Sequence, residues 1–286
     1  MKIWFVFSAI TSSVCVLAMD SKPPTVTPDP SVERAAVAGL RRIDFKSHFG
    51  RFEGCFVLKS LDDEWTLRYN DDRCARRFAP CSTFKIMTSL IGLETGVLTG
   101  PEHAMKWDGT PQSRKVCEAD QTLATAIRDS VVWYFQRVVE AIGEERMQKY
   151  LDECEYGNRD QSGGLTKFWI QSSLEISANE QLRFLERLYR NELSFGTKTV
   201  QTVKRLFEYR QSDDWILSGK TGTGGGAGKS DKTILGWYVG HVRRGDRNYV
   251  FATNISGDDA MGLKARGITA DILRDLGLIE FSGSFE

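Results

Sequence analysis

Histidine is scarce: the 286 residues contain three, His48, His103 and His241. They show no H-x-H or H-E-x-x-H spacing, so a zinc hydrolase has no evident ligand set and no metal is expected. A Ser-His-Asp triad would need one of them as its base, and none sits in a context that suggests it. An excess of either charge is also missing, with 38 Lys and Arg against 38 Asp and Glu. No basic surplus argues for a nucleic-acid partner or for an anionic membrane surface. Long apolar runs are absent except at the start, where Ile3 to Ala18 follows Met1-Lys2. That run has the length of a signal h-region and is short for a membrane span. Val16-Leu17-Ala18 offers the small or apolar residues of a cleavage site. Residues 1–18 therefore read as a secretory signal peptide, with a buried N-terminal element or a lipid anchor at Cys15 as alternatives. The mature protein is expected to be periplasmic, without a stable membrane anchor.

Cysteine is sparse as well. Beyond the leader five remain, Cys55, Cys74, Cys81, Cys117 and Cys154. An odd number in an exported protein leaves a free thiol or an intermolecular bridge. Cys55 and Cys74 flank two strand-like runs and are the pair expected to form a disulfide. Cys81 reads as a small buried residue, since no histidine lies near it to make a catalytic thiol.

What is present divides the chain simply. Residues 19–32 are proline-rich and polar, an extended linker. Residues 33–286 read as one catalytic domain. Helix-like apolar spacing over 33–47 precedes two strands, Glu53–Lys59 and Trp65–Tyr69, with turns at 61–64 and 70–73. From Ser82 to about Tyr209 the pattern is mainly helical, with runs over Thr122–Val132, Glu145–Leu151 and Ser177–Asn191. Period-two strands follow at Trp215–Lys220, Thr233–Val242 and Asn248–Asn254, with a hairpin turn at 243–246. A helix over Leu263–Leu276 is stopped by Gly277. This order predicts an α/β fold of the α+β type. Its mixed, mostly antiparallel sheet is built from both chain ends (about 33–80 and 212–286), and a helical part (about 82–210) packs on it. The active site would lie in the seam.

The chemistry centres on Pro80-Cys81-Ser82-Thr83-Phe84-Lys85. Pro80 breaks regular structure before Ser82, and an apolar helical run continues to Glu94, stopped by Gly96. Ser82 would then sit near a helix N-terminus with Lys85 one turn later on the same face. A serine hydroxyl needs a base within hydrogen-bond reach, and N–H groups at the helix start suit a developing oxyanion. Lysine is the base by elimination, but its unperturbed pKa of about 10.4 is too high. It must be made neutral by burial or be chemically modified. Lys220-Thr221-Gly222 ends a strand, where glycine lets a ligand approach closely and Lys220 brings positive charge. Ser130-Val131-Val132 ends a helix-like run, and Tyr156-Gly157-Asn158 reads as a turn. Thr223 to Ser230 (TGGGAGKS) nearly matches a phosphate-binding loop. It lacks the first glycine and joins two strands, so it reads as a flexible connection between them. Met105 to Gly109 reads as a loop bordering the site or as a packed surface aromatic.

Taken together, these motifs resemble the class D, oxacillinase-type, serine β-lactamases over about residues 50–277. The resemblance is carried by PCSTFK at 80–85, SVV at 130–132 with Trp133, and YGN at 156–158. It continues through GLTKFW at 164–169, LEIS at 174–177, LYRNEL at 188–193, KTG at 220–222 and GWYVG at 236–240. The Ser-Asp-Asn of class A enzymes is absent from the second motif.

The resemblance implies a serine β-lactamase/transpeptidase-like fold and a function for each position. Ser82 would be the acylated nucleophile. Lys85 would be carried as a carbamate (N6-carboxylysine) formed with CO2 or bicarbonate, in a pocket of Phe84, Val132 and Trp169. No organic cofactor is implied. Ser130 would relay a proton to the departing β-lactam nitrogen, supported by Lys220. The N–H groups of Ser82 and Thr223 would form the oxyanion hole, beside Gly222. Thr221 and Arg266 would hold the substrate carboxylate. Tyr156 and Asn158 look structural. The partner is a small β-lactam, and the protein a monomer or homodimer. Two other readings stay open: a β-lactam sensor domain that acylates without turnover, and a peptidoglycan transpeptidase or carboxypeptidase.

Overall fold

The computed structural model describes residues 43–63, 65–225, 233–283 and 285. The expected signal peptide, the linker and most of the 33–47 helical run lie outside them. So do residues 226–232 of the glycine-rich connection.

A short helix, α1 (Phe45–Phe49), leads into β1 (Glu53–Ser60) and β2 (Thr66–Tyr69). The expected turn at 70–73 is instead the start of a helix, α2 (Asp71–Ala75). Asn70 takes the left-handed conformation and its side chain accepts from Arg73 N, while Asp71 and Asp72 favour the first turn. A short strand β3 (Arg77–Phe78) and a 3-10 turn (Cys81–Phe84) open α3 (Lys85–Glu94). The helical part continues through β4 (Ala104–Met105), β5 (Gln121–Thr122), α4 (Leu123–Arg128), α5 (Val132–Ile142) and α6 (Glu144–Glu153). It closes with β6 (Ile176–Ser177), α7 (Ala178–Arg190) and α8 (Thr197–Leu206). The chain then returns through β7 (Glu208–Gln211), β8 (Trp215–Gly225), β9 (Thr233–Arg244) and β10 (Arg247–Ser256) to α9 (Gly262–Asp275).

Six strands form one sheet in the order β2-β1-β10-β9-β8-β7. Every pairing in it is antiparallel, in line with the mostly antiparallel sheet expected from both chain ends. The helical part separates β2 from β7, which occupy opposite edges, so it bridges no pair of neighbours and imposes no parallel crossover. Side chains alternate between two cores. Val57, Val239, Val250 and Ala252 face the helical part, and Phe56, Leu58, Tyr238, Phe251 and Ile255 face α9. The central strands are therefore buried on both faces.

Two local devices fix the helical part against the sheet. Ser177 and Glu180 form a reciprocal capping box at the start of α7. α3 is buried from Lys85 through Gly92, so it lies inside the fold with no solvent face over those residues. Cys55 and Cys74 are free thiols, contrary to the disulfide expected. Residues 71–75 coil into a helix that points Cys74 inward, its Sγ 3.7 Å from Phe56 O and 3.5 Å from Tyr69 O and its thiol hydrogen-bonded to that of Cys55. Among the described residues, no helix is long and apolar enough to cross a membrane.

Candidate active site

The turn that carries Ser82 is held from three sides. Pro80 O accepts from Thr83 N at 3.2 Å and from Thr83 Oγ1 at 2.8 Å. Gln181 Nε2 on α7 donates to the same hydroxyl at 2.9 Å. Cys81, at φ 50°, donates its N–H to Trp169 O at 3.0 Å. The third side is β8, at Gly222. A Cβ on it would come within 2.9 Å of Pro80 O and 3.2 Å of Thr83 Cγ2. The missing side chain admits the Ser82 turn to the strand.

That packing brings Lys85 Nζ to 2.8 Å from Ser82 Oγ. Lys85 is 1% exposed. Burial brings its pKa down to about 7, with Arg114 lowering it further and Cys81 and Cys117 opposing. The Phe135 ring centroid lies 5.3 Å from Nζ. Phe84 stacks on Trp169 at 5.7 Å and meets Tyr156 and Phe168 edge-on. Val132 is 39% exposed at the first position of α5, whereas Val131 is fully buried. The left-handed backbone of Ser130 (φ 53°) turns the chain between α4 and α5 and sets which valine faces inward.

The opposite wall is the free edge of β8. β7 pairs with it only as far as Ser218. Gly219 N–H still points that way, to Phe207 O at 2.8 Å. By the two-residue period, the N–H groups of Thr221 and Thr223 point to the same open edge, alongside the Cys81–Phe84 turn. Lys220 is 5% exposed, and its Nζ donates to Thr221 O at 3.1 Å and Thr221 Oγ1 at 3.3 Å. Burial, then Lys85, Arg114 and Arg266, hold its pKa well below the usual lysine range. An anion in the cleft would favour its charged form. Thr223 Oγ1 is already committed to Gly262 N at 2.9 Å. Arg266 on α9 lies with its Cζ 4.4 Å from the Tyr209 ring centroid, and its buried Nε has no hydrogen-bond partner among the described residues.

Ser82 and Lys85 are thus in direct contact, and Lys220, Thr221 and Arg266 share the facing wall. Among the described residues, no side-chain hydrogen bond joins Ser130 to Ser82 or to Lys220. Thr223, Gly224 and Gly225 are strand residues and not a loop, so the phosphate-loop likeness loses its first three positions. Asn158 braces the Trp169 loop, giving Nδ2 to Ser173 O at 2.8 Å and accepting from Glu175 N at 3.0 Å. Trp107 Nε1 is taken by Thr110 O at 2.9 Å, within its own loop. Three contributors escaped the sequence reading: Phe135, Arg114 and Gln171. Phe135 lies one helical turn after Val132, a spacing that points to it once α5 is known to start there. Arg114 and Gln171 sit in irregular segments and carry no periodic signal. Among the described residues, no cluster of three or more His, Cys, Asp or Glu could hold a metal. A surface cavity of about 900 Å³ beside Lys59, Arg68 and Arg183 lies elsewhere, and its walls are ion-paired.

Comparison with known proteins gives a consistent picture. A family profile described as the penicillin binding protein transpeptidase domain matches residues 16–275. The probable β-lactamase YbxI of Bacillus subtilis (strain 168) is 40% identical over 240 residues, 84% of this chain and 87% of that protein. The solved class D β-lactamase from Bacillus subtilis superposes with a TM-score of 0.79 at 40% identity, covering 84% of this chain and 98% of that one. The C-terminal domain of the Bacillus licheniformis BlaR penicillin-receptor gives a TM-score of 0.78 at 35% identity, covering 83% and 96%.

Proposed function

The chain belongs to the class D β-lactamases of the penicillin-binding-protein transpeptidase family, and from that premise we propose that it hydrolyses the β-lactam amide bond of penicillin-type antibiotics through an acyl-enzyme on Ser82. The observation that carries this reading is the buried Lys85, with a pKa of about 7 and its Nζ 2.8 Å from Ser82 Oγ. The amine is substantially neutral near pH 7 and can accept the serine proton.

The same pocket fits a carbamate. Only a neutral amine attacks carbon dioxide, and burial beside the Phe84 and Phe135 rings favours the neutral form. Such a carbamate would supply an oxygen base beside Ser82, both for acylation and for the water that releases product. The chain's own residues account for the remaining steps. Ser82 Oγ attacks the lactam carbonyl, and the N–H groups of Ser82 and Thr223 receive the oxyanion. Ser130 passes a proton to the departing nitrogen, with Lys220 behind it. Lys220, Thr221 and Arg266 hold the substrate carboxylate, whose charge offsets the burial that lowers the Lys220 pKa.

The test is mass spectrometry of the purified protein with benzylpenicillin, beside a hydrolysis assay with and without bicarbonate. A transient adduct on Ser82 with bicarbonate-enhanced turnover is expected. A second reading, a sensor that stays acylated, has support from the likeness to the BlaR receptor domain. A stable adduct without turnover would favour it. Turnover indifferent to bicarbonate would favour a transpeptidase-type enzyme, and no adduct would remove all three. We also propose export under the leader at residues 1–18, on sequence grounds. N-terminal sequencing of the protein recovered from a periplasmic extract should begin after Ala18, and a chain beginning at Met1 would refute it.

A further inference from the structure

The open edge of β8 ends in an arrangement that the proposed chemistry has not used. Gln171, two residues after Trp169, lays its side-chain amide against Gly225. Its Oε1 accepts from Gly225 N at 2.8 Å, and its Nε2 donates to Gly225 O. A single side chain thus replaces one residue of the missing neighbouring strand, next after Thr223 on the open edge. Gly224 lies flat against it. A Cβ there would be 3.0 Å from Gln171 Nε2 and 3.2 Å from Cys81 Sγ. The Cys81 thiol in turn meets the Gln171 backbone.

The backbone at Gln171 supports a selected role. Its φ is 49°, in the left-handed region that glycine and asparagine tolerate best. Local conformation alone would choose one of those two, so the glutamine is held there by what its side chain does. Its amide has one acceptor and one donor at the spacing of a peptide group. That lets it satisfy both Gly225 groups at once.

We propose that Gln171 is a positioning residue for the reaction: by clasping Gly225 it locks the Trp169 loop, the Ser82 turn and the oxyanion strand into one rigid unit. The clasp ends the open edge just past Thr223, so that the Thr223 N–H is left for the substrate oxygen. Through Trp169 O and Cys81 N it also fixes the depth of the Lys85 pocket against Ser82. This rests on the reaction proposed above. Displacing reacting groups by about 1 Å costs on the order of 10²-fold in rate.

Gln171→Asn and Gln171→Glu test it. Asparagine suits the left-handed backbone at least as well but is one methylene too short. Glutamate keeps the length, yet sets an acceptor against Gly225 O. Four quantities are measured in each variant and in the unaltered protein: Tm, hydrogen exchange at the Gly225 amide, the benzylpenicillin acylation rate at Ser82, and kcat and KM across a bicarbonate titration. Faster Gly225 exchange is expected, with acylation and kcat reduced about 10-fold to 10²-fold. KM should change little, and half-saturation with bicarbonate should need more of it. A merely structural role would lower Tm without moving the bicarbonate requirement. If both variants acylate and turn over like the unaltered protein, the proposal is overturned. If Gln171→Glu does not fold, Gln171→Asn decides alone. If the unaltered protein never acylates at Ser82, the reaction reading has failed, and Gly225 exchange judges the clasp. Unchanged exchange then overturns it, and faster exchange supports it.

Discussion

Acidification is the most direct way to ask whether burial of Lys85 supplies the base. With a pKa of about 7 in place of 10.5, the neutral amine at pH 7 is about 10³ times more abundant than for an exposed lysine. About half the molecules then hold it neutral at pH 7, about a tenth at pH 6 and about a hundredth at pH 5. Carbamate formation consumes the neutral amine and releases a proton, so at fixed dissolved carbon dioxide it falls at least as steeply. The sign follows: activity should be nearly full above about pH 8, fall through about pH 7 and drop by about tenfold per pH unit below about pH 6. Hydrolysis of benzylpenicillin is followed from about pH 5.5 to 8.5 at several bicarbonate concentrations, with labelled bicarbonate and carbon NMR reporting the carbamate directly. Added bicarbonate should recover part of the lost rate near pH 6.5. A flat profile across that range, with no carbamate signal, would refute the argument that the aromatic pocket neutralises Lys85.

Three further outcomes are expected. Lys85→Ala should abolish turnover and leave at most slow acylation at Ser82, read by mass spectrometry of timed samples; wild-type turnover would mean that the base is elsewhere. Gly222→Ala must push Pro80 O away from β8. It should cost about 1–3 kcal/mol in urea unfolding and lower the Ser82 acylation rate more than Tm suggests, whereas an unchanged rate would show that the turn is not seated by this glycine. His241 is buried, stacked on Tyr189 at 3.9 Å, and its pKa is pushed down to about 3 from 6.5. The unfolded chain therefore binds a proton that the folded chain refuses. Stability should fall by about 1.4 kcal/mol per unit as pH drops from about 6.5 towards 3. His241→Phe keeps the stack and should flatten part of that loss in a Tm-against-pH series.

The Ser82–Lys85 relation was legible because it is local. A spacing of three residues on a helical turn places two side chains together whatever the rest of the chain does, and Pro80 and Gly96 mark the ends of that segment. The three long C-terminal strands were legible for the same kind of reason, since period-two patterning survives in sequence. The sequence did less well where conformation depends on what a residue packs against. Residues 70–73 read as a turn, but the left-handed cap at Asn70 starts a helix and carries Cys74 inward, where its thiol hydrogen-bonds that of Cys55 and both remain free. The pattern of Ser130-Val131-Val132 does not say which valine is buried, and the left-handed Ser130 sets that it is Val131.

By itself, then, the sequence determined the Ser82–Lys85 pair, the strand that faces it and the family the chain belongs to, because each is encoded by short-range spacing. Only the tertiary structure decided how far the lysine is withdrawn from water. Its low pKa comes from burial beside Phe84 and Phe135 and from the charge of Arg114, groups that reach Nζ only after α3, α5 and the 114–117 turn have packed. The same holds for Gly222 against Pro80 and for Gln171 on Gly225. Desolvation and close approach depend on distances between segments far apart in the chain, and those distances exist only in the folded protein.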